Sequence, residues 1–272
     1  MVRVTTTDRR TALRAGACLA AAGALAAGCA THGAVAHPER AGSTTPPTDR
    51  ARAASPPAPA TATPAPTPRL FPHAAAQITH GPRDRPRVAL TCHGQGDPEL
   101  ARALLAAAET HGARLTVLAV GSWLDAHPEL ARRILDGGHD LGNHTQRHLD
   151  VNAMSEAEAE REIIDCAQRL RRLTGSIGTW FRPSRAARAS PLVERLARAA
   201  GYPHVLSYDV DSLDFTAPGA PAVARKVLGE IRNGSVVSLH LGYADTVAAL
   251  PAVLEELDRR GLRAVTTTEL IG

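Results

Sequence analysis

The sequence predicts an α/β fold built on a parallel sheet, and three observations carry that prediction. From about residue 84 onward, short apolar runs alternate with helical patterns about seven times. Several of the helical patterns open on a capping residue followed by proline and close on glycine. Polar side chains capable of chemistry collect just after the apolar runs, where the C-terminal rim of a parallel sheet carries its sites. At about 190 residues, a closed or nearly closed barrel fits this alternation as well as an open doubly wound sheet. No GxGxxG follows the first run, so a dinucleotide site lacks its fingerprint.

The elements follow in order. RVAL (87–90) is a buried strand, and DPELARALLAAAETHG is a helix with Asp97 as N-cap, Pro98 at its first position and Gly112 past its end. RLTVLAV (114–120) and HPELARRILDGG (127–138) repeat the strand–helix unit, and HDLG (139–142) is a short strand. SEAEAEREIIDCAQRLRRLTG (155–175) is a helix whose Ser155 and Glu158 form a capping box. GTWFR (178–182) is a strand, and SPLVERLARAAG (190–201) a helix with an N-cap serine. HVLSYDV (204–210), SVVSLHL (235–241) and LRAVTT (262–267) are strands, separated by helices over 221–234 and 246–261.

What precedes residue 84 has a different composition. Residues 1–29 carry paired Arg9 and Arg10, a small-residue apolar stretch too short and weakly apolar to span a bilayer stably, and Ala27-Gly28-Cys29. This reads as an export signal, and the paired arginines resemble the twin-arginine type. LAAGC is similar to a bacterial lipoprotein box, with Cys29 the lipidated residue and membrane anchor; the alternative is cleavage and full secretion. Residues 30–83 are rich in Ala, Pro and Thr and read as a disordered spacer. Nine arginines against three acidic residues make 1–83 basic, whereas 84–272 hold 22 cationic and 24 acidic side chains. The folded part therefore lacks the clustered cations of a nucleic-acid surface. Cys92 and Cys166 remain beyond the signal, without CxxC or zinc-finger spacing.

At the predicted strand ends stand His93, then Asn143, His144 and His148, then Arg182, Asp209, Asp211 and His240. His144 and His148, four apart, would face the same way on a helical turn and could grip one metal. His240 in SLHLGY is either a core histidine or a general acid whose charge Asp211 or Asp209 holds. Arg182 in WFRPS would serve equally as a structural ion-pair partner of Asp211 or Asp214.

Taken in order, these pieces resemble the polysaccharide deacetylases of carbohydrate esterase family four. VGSWLDAHPELARRILDGGHDLGNHTQRH is similar to the family's second motif, WFRPS to the third, DSLDF to the fourth and SLH to the fifth. The resemblance spans about residues 86–270 and implies an irregular (β/α) barrel. It implies a divalent metal, zinc in most members, and hydrolysis of N-acetyl groups on cell-wall or chitin-like glycan. It further implies His144 and His148 as metal ligands, Arg182 as the residue orienting the base, Asp211 as the carboxylate tuning His240, and His240 as the acid. Phe215 stands for a tryptophan, and Ser184-Arg185 for a Pro-Tyr pair.

The first motif departs from the family. Where it has Thr-Phe-Asp-Asp-Gly, this chain has Thr91-Cys92-His93-Gly94-Gln95-Gly96, with His93 at the place of the base and Gly94 at that of the metal aspartate. Either His93 serves as base or third imidazole with Asp97 reaching the metal, or the metal sits weakly on two histidines, or the domain binds sugar without cleaving it. Asp97 is also a strong helix cap. O-acetyl esters or another C–N bond are further substrates open to such a site.

Overall fold

The computed structural model describes residues 65–272. The export signal, Cys29 and residues 30–64 of the spacer lie outside the described residues. In chain order the strands are β1 (Gln77–Ile78), β2 (Arg87–Gly94), β3 (Thr116–Ala119), β4 (Asp140–Asn143), β5 (Val205–Leu206), β6 (Val210–Asp211), β7 (Val236–His240) and β8 (Arg263–Ala264). Every pairing between these strands is parallel, in the order β4-β3-β2-β7-β6, with β8 joined to the start of β2 and β1 joined to β5. Single bridges from Asn143 to Phe181 and from Phe181 to Val205 continue the wall from β4 toward β5.

The helices are α1 (Pro98–Thr110), α2 (Gly121–Ala126), α3 (Glu129–Asp136), α4 (Glu156–Thr174), α5 (Pro191–Ala199), α6 (Ala220–Glu230), α7 (Ala244–Arg259) and α8 (Thr267–Ile271). The capping box of Ser155 and Glu158 opens α4, and Gly175 closes it at φ 84°. Ser190 caps α5 through the amide of Val193.

The two-residue period of the strands sorts the core. Val88, Leu90 and Cys92 of β2, with Val117, Val237 and Leu239 of its neighbours, pack against Leu104, Leu105, Val253 and Leu254 of α1 and α7. The alternate residues Ala89, Leu118 and Val236 join Ile78, Trp180 and Leu206 in a separate interior cluster. Thr91 and His93 share the face of Ala89, and Ser238 and His240 that of Val236. Parallel register places Thr91 beside Ser238 and His93 beside His240.

The structure corrects four expectations. Residues 178–182 form only a bridge at Phe181, because Gly178 turns at φ 88° and Pro183 has no amide to donate. The strand expected over 204–210 is split into β5 and β6. Helices α2 and α8 were not foreseen. The spacer does not extend to residue 83: Phe71 stacks on Trp180 with ring centres 5.6 Å apart, and its amide donates to His204 Nε2. Ser176 donates to the Pro66 carbonyl, and β1 lies within this strap. Isolated apolar anchors separated by Pro and Ala escaped a reading by composition. Cys92 and Cys166 are buried free thiols, and no described helix is long and apolar enough to cross a membrane.

Candidate metal centre and proton-transfer site

His93 is the last residue but one of β2, and the loop after β4 carries His144 and His148. One ring nitrogen from each of these three lies within 4.8 Å of the others. The ring centres of His93 and His144 are 4.4 Å apart, and those of His144 and His148 are 4.9 Å apart.

The HxxxH pair does not lie on a helical turn, as the spacing predicted. Asn143 shapes a loop instead: its Oδ1 accepts from the Thr145 amide, and its Nδ2 donates to the Ile163 carbonyl and Tyr202 hydroxyl. Thr145 and His148 then take left-handed backbone at φ 68° and 57°. These conformations are uncommon for non-glycine residues and gather at functional sites.

The three imidazoles could hold a metal ion. His144 Nδ1 donates to the Arg182 carbonyl at 3.0 Å, which fixes the tautomer and leaves Nε2 as the acceptor. That Nε2 is buried with no hydrogen-bond partner among the described residues. A buried acceptor without a donor is costly, and a cation satisfies it. His93 Nε2 pairs with Ser238 Oγ at 3.1 Å. Burial, then the neighbouring imidazoles and Arg182, hold His93 well below the ordinary histidine value; burial, then His148, do the same to His144. His148 is held at about 4 by burial, Arg185 and His240. All three are therefore neutral near pH 7 and able to ligate.

Two predicted residues fall outside this cluster. Asp97 is exposed and caps α1, accepting from the Glu99 amide at 2.8 Å; its helix start claims it. Gly94 is not the vacated seat of a ligand on this side of the sheet. A Cβ there would lie 2.9 Å from Ala119 Cα and 3.0 Å from Val117 Cγ1, on the face that packs against the helices.

His240 faces His93 across the β2–β7 register, ring centres 4.3 Å apart. Its carboxylate partner is Asp214, not the predicted Asp211. Asp214 Oδ1 meets His240 Nδ1 at 2.6 Å, while Oδ2 accepts from the His240 amide at 2.8 Å and Thr246 Oγ1 at 2.6 Å. Burial alone would raise the Asp214 carboxyl, but these bonds outweigh it and hold it below the usual range. Asp211 spends Oδ1 on the Leu213 amide, and Asp209 pairs with Arg83. A 3-10 turn over Asp214–Thr216 carries the second aspartate of DSLDF back under His240; the sequence reading gave His240 only Asp211 or Asp209, and set Asp214 beside Arg182. Phe215 and Tyr243 flank the His240 ring at 5.5 and 5.7 Å.

Arg182 is wholly buried. Its Nη2 donates to Thr91 Oγ1 and the Ser207 carbonyl, its Nε to the Leu206 carbonyl, and its Nη1 finds no partner. No carboxylate of the described residues lies within ion-pair distance of it, and burial pulls it down to about 10. It thus has no acidic base to orient; it braces Thr91, and its carbonyl holds His144. Sequence reasoning missed Ser238, Trp123 and Gly242. Trp123 Nε1 donates to the Gly96 carbonyl at 2.9 Å, and a Cβ on Gly96 would meet Gly242 Cα at 2.6 Å. Only glycines let the loops after β2 and β7 close so tightly beside the histidines.

Comparison with known proteins identifies the family. The family model of polysaccharide deacetylases matches residues 80–205. A peptidoglycan-N-acetylglucosamine deacetylase of Bacillus cereus is 31% identical over 194 residues, covering 70% of this chain and 90% of that one. The structure of a family 4 carbohydrate esterase from Streptomyces lividans, in complex with acetate, superposes with a TM-score of 0.61 at 26% identity, over 65% of this chain and 91% of that one. A family pseudoenzyme from Bacillus anthracis shares the fold at TM-score 0.69 and 22% identity, over 72% and 69% of the two chains. By fold, motif order and sequence identity, this chain belongs to the polysaccharide deacetylase family, hydrolases of the C–N bond of N-acetyl groups.

Proposed function

We propose that this domain is an exported, metal-dependent deacetylase acting on N-acetyl groups of cell-wall glycan, with an all-imidazole metal site of His93, His144 and His148. The observation that carries the reading is the convergence of these three rings opposite a His240–Asp214 pair. Three protein ligands with an open position suit catalytic zinc, and neutral imidazoles suit it as well. Bound there, the metal would supply Lewis acidity and a water acidic enough to attack an amide carbonyl near neutral pH. Asp214 fixes Nδ1 of His240 as the protonated nitrogen and leaves Nε2 free to exchange a proton with the reacting groups. With no carboxylate beside the three rings, His240 is the proton carrier for both attack and departure of the amine. Phe215 and Tyr243 narrow the approach to His240 and limit water around it.

The absence of a carboxylate base among the described residues of the site also favours a second reading, a sugar-binding pseudoenzyme. An O-acetyl esterase stands between the two, because an alkoxide leaves more readily than an amine. Cys29 serves as the lipid anchor in this proposal, and radiolabelled fatty acid should be incorporated by the wild type and lost in Cys29→Ala.

Metal content and acetate release from the purified protein test the central reading. The wild type should hold about one zinc per chain. His93→Ala should weaken zinc binding at least about a hundredfold, and Asp97→Ala should leave it unchanged. Release of acetate from an N-acetylglucosamine oligomer should fall about 10²–10⁴-fold in His240→Ala. Zinc bound without acetate release would move the assignment to the pseudoenzyme; zinc retained by His93→Ala would remove His93 from the ligand set.

A further inference from the structure

We infer that a cleft at the strand-start end of the domain, walled by Arg69, Arg87, Arg114 and Arg263, binds the phosphate group of an anionic ligand. The inference is independent of the chemistry proposed for the histidines.

The sheet itself brings these arginines together. Arg87 opens β2 and Arg263 opens β8, and parallel register makes them direct partners. The Arg114 amide donates to the Ala264 carbonyl at 3.2 Å, which brings in a third arginine just ahead of β3. Arg69 comes from the strap, its guanidinium carbon 5.6 Å from the centre of the Phe71 ring, which is itself stacked on Trp180. All four line one cleft of about 400 Å³. His93 lies toward the other end of β2, about 20 Å from Arg87 along the strand. The cleft is therefore separate from the histidine cluster.

The described residues do not balance the charge of this cleft. Glu269 is its one acidic side chain, and that carboxylate pairs with Arg114 at 2.7 Å. Arg87 reaches only the Glu269 carbonyl, at 3.3 Å. Arg69, Arg87 and Arg263 form no ion pair with any described residue. With the carboxylate of the last residue, Gly272, counted, four positive charges face two negative ones. Elsewhere arginines of this surface are set against acids, as Arg102 is against Glu99 and Glu129, and Arg133 against Glu109.

Like charges set directly across a strand pair repel, and an anion seated between them removes that cost. Four guanidiniums carry more donors than the two oxygens of a carboxylate can accept. A phosphate group brings three acceptor oxygens and close to two negative charges, and guanidinium forks meet it through parallel, charge-assisted bonds.

Calorimetry of the purified protein with inorganic phosphate, at fixed ionic strength in sodium chloride, tests the site. The wild type should bind phosphate at least about tenfold more tightly than the double variant Arg87→Gln, Arg263→Gln. Arg263→Lys alone, which keeps the charge and loses the fork, should fall between them. Arg172→Gln, which removes an exposed arginine of α4 outside the cleft, should bind as the wild type does. Phosphate should also raise the thermal midpoint of the wild type more than that of the double variant. No phosphate binding by the wild type, equal affinity in the double variant, or an equal loss in Arg172→Gln overturns the inference. So does binding that is lost in His144→Ala and kept in the double variant, because that phosphate sits at the metal centre. Vesicles of phosphatidylglycerol identify the source. Vesicle binding that the double variant loses names a lipid headgroup, and phosphate binding without vesicle binding names a soluble phosphorylated ligand.

Discussion

Arg182 is a buried cation without a buried anion, an arrangement that ordinarily costs several kcal/mol. Thr91, to which it donates, shares a strand face with His93 two residues on. An aspartate at position 93 would place a carboxylate beside that unspent charge. His93→Asp should therefore raise the thermal midpoint by about 2–8 °C, the shift expected for about 1–2 kcal/mol in a domain of this size. His93→Asn should lower it, and the two melting curves side by side check the sign. Asp214 gives a pH prediction. Its folded pKa lies below the unfolded value of about 3.9, so its contribution to stability is present above that value and is lost as pH falls through the folded one. Asp214→Asn should flatten the acid limb of the stability curve below about pH 4, which denaturant titrations between pH 2 and 6 would show. At this scale the sequence reported which residue types line the rim but not which atoms meet. His93 faces His240 through strand register across about 150 residues of chain, and Asp214 displaces Asp211 through a 3-10 turn that no local signal marks.

Most strands and most helices were legible because they obey simple periodicities. The β2 alternation and the caps of α1, α4 and α5 are written in neighbouring residues. The loop between β4 and α4 was misread for the opposite reason. A spacing of four suggests a helical face, but Asn143 reaches two other segments, at Ile163 and Tyr202, and bends the chain through two left-handed residues. Asn143→Ala removes all three side-chain bonds at a buried site. It should cost about 2–4 kcal/mol and weaken zinc binding by spreading His144 from His148. Paired denaturant and zinc titrations would check this; unchanged zinc affinity would mean that the loop holds its shape without Asn143.

At the largest scale, the described residues form a barrel wall completed by its own approach segment. Phe71, Ile78 and β1 cover Trp180 and Leu206, so the fold takes in residues well ahead of residue 84. Composition concealed this, since a few anchors among many Pro and Ala do not move an average. The strap enters at the starts of the strands, near Arg87 and Arg263, whereas the histidines crowd the strand ends. Wall and site thus part company along the strands: the segment that completes the fold works at one end of the sheet, and the chemistry is left to the other.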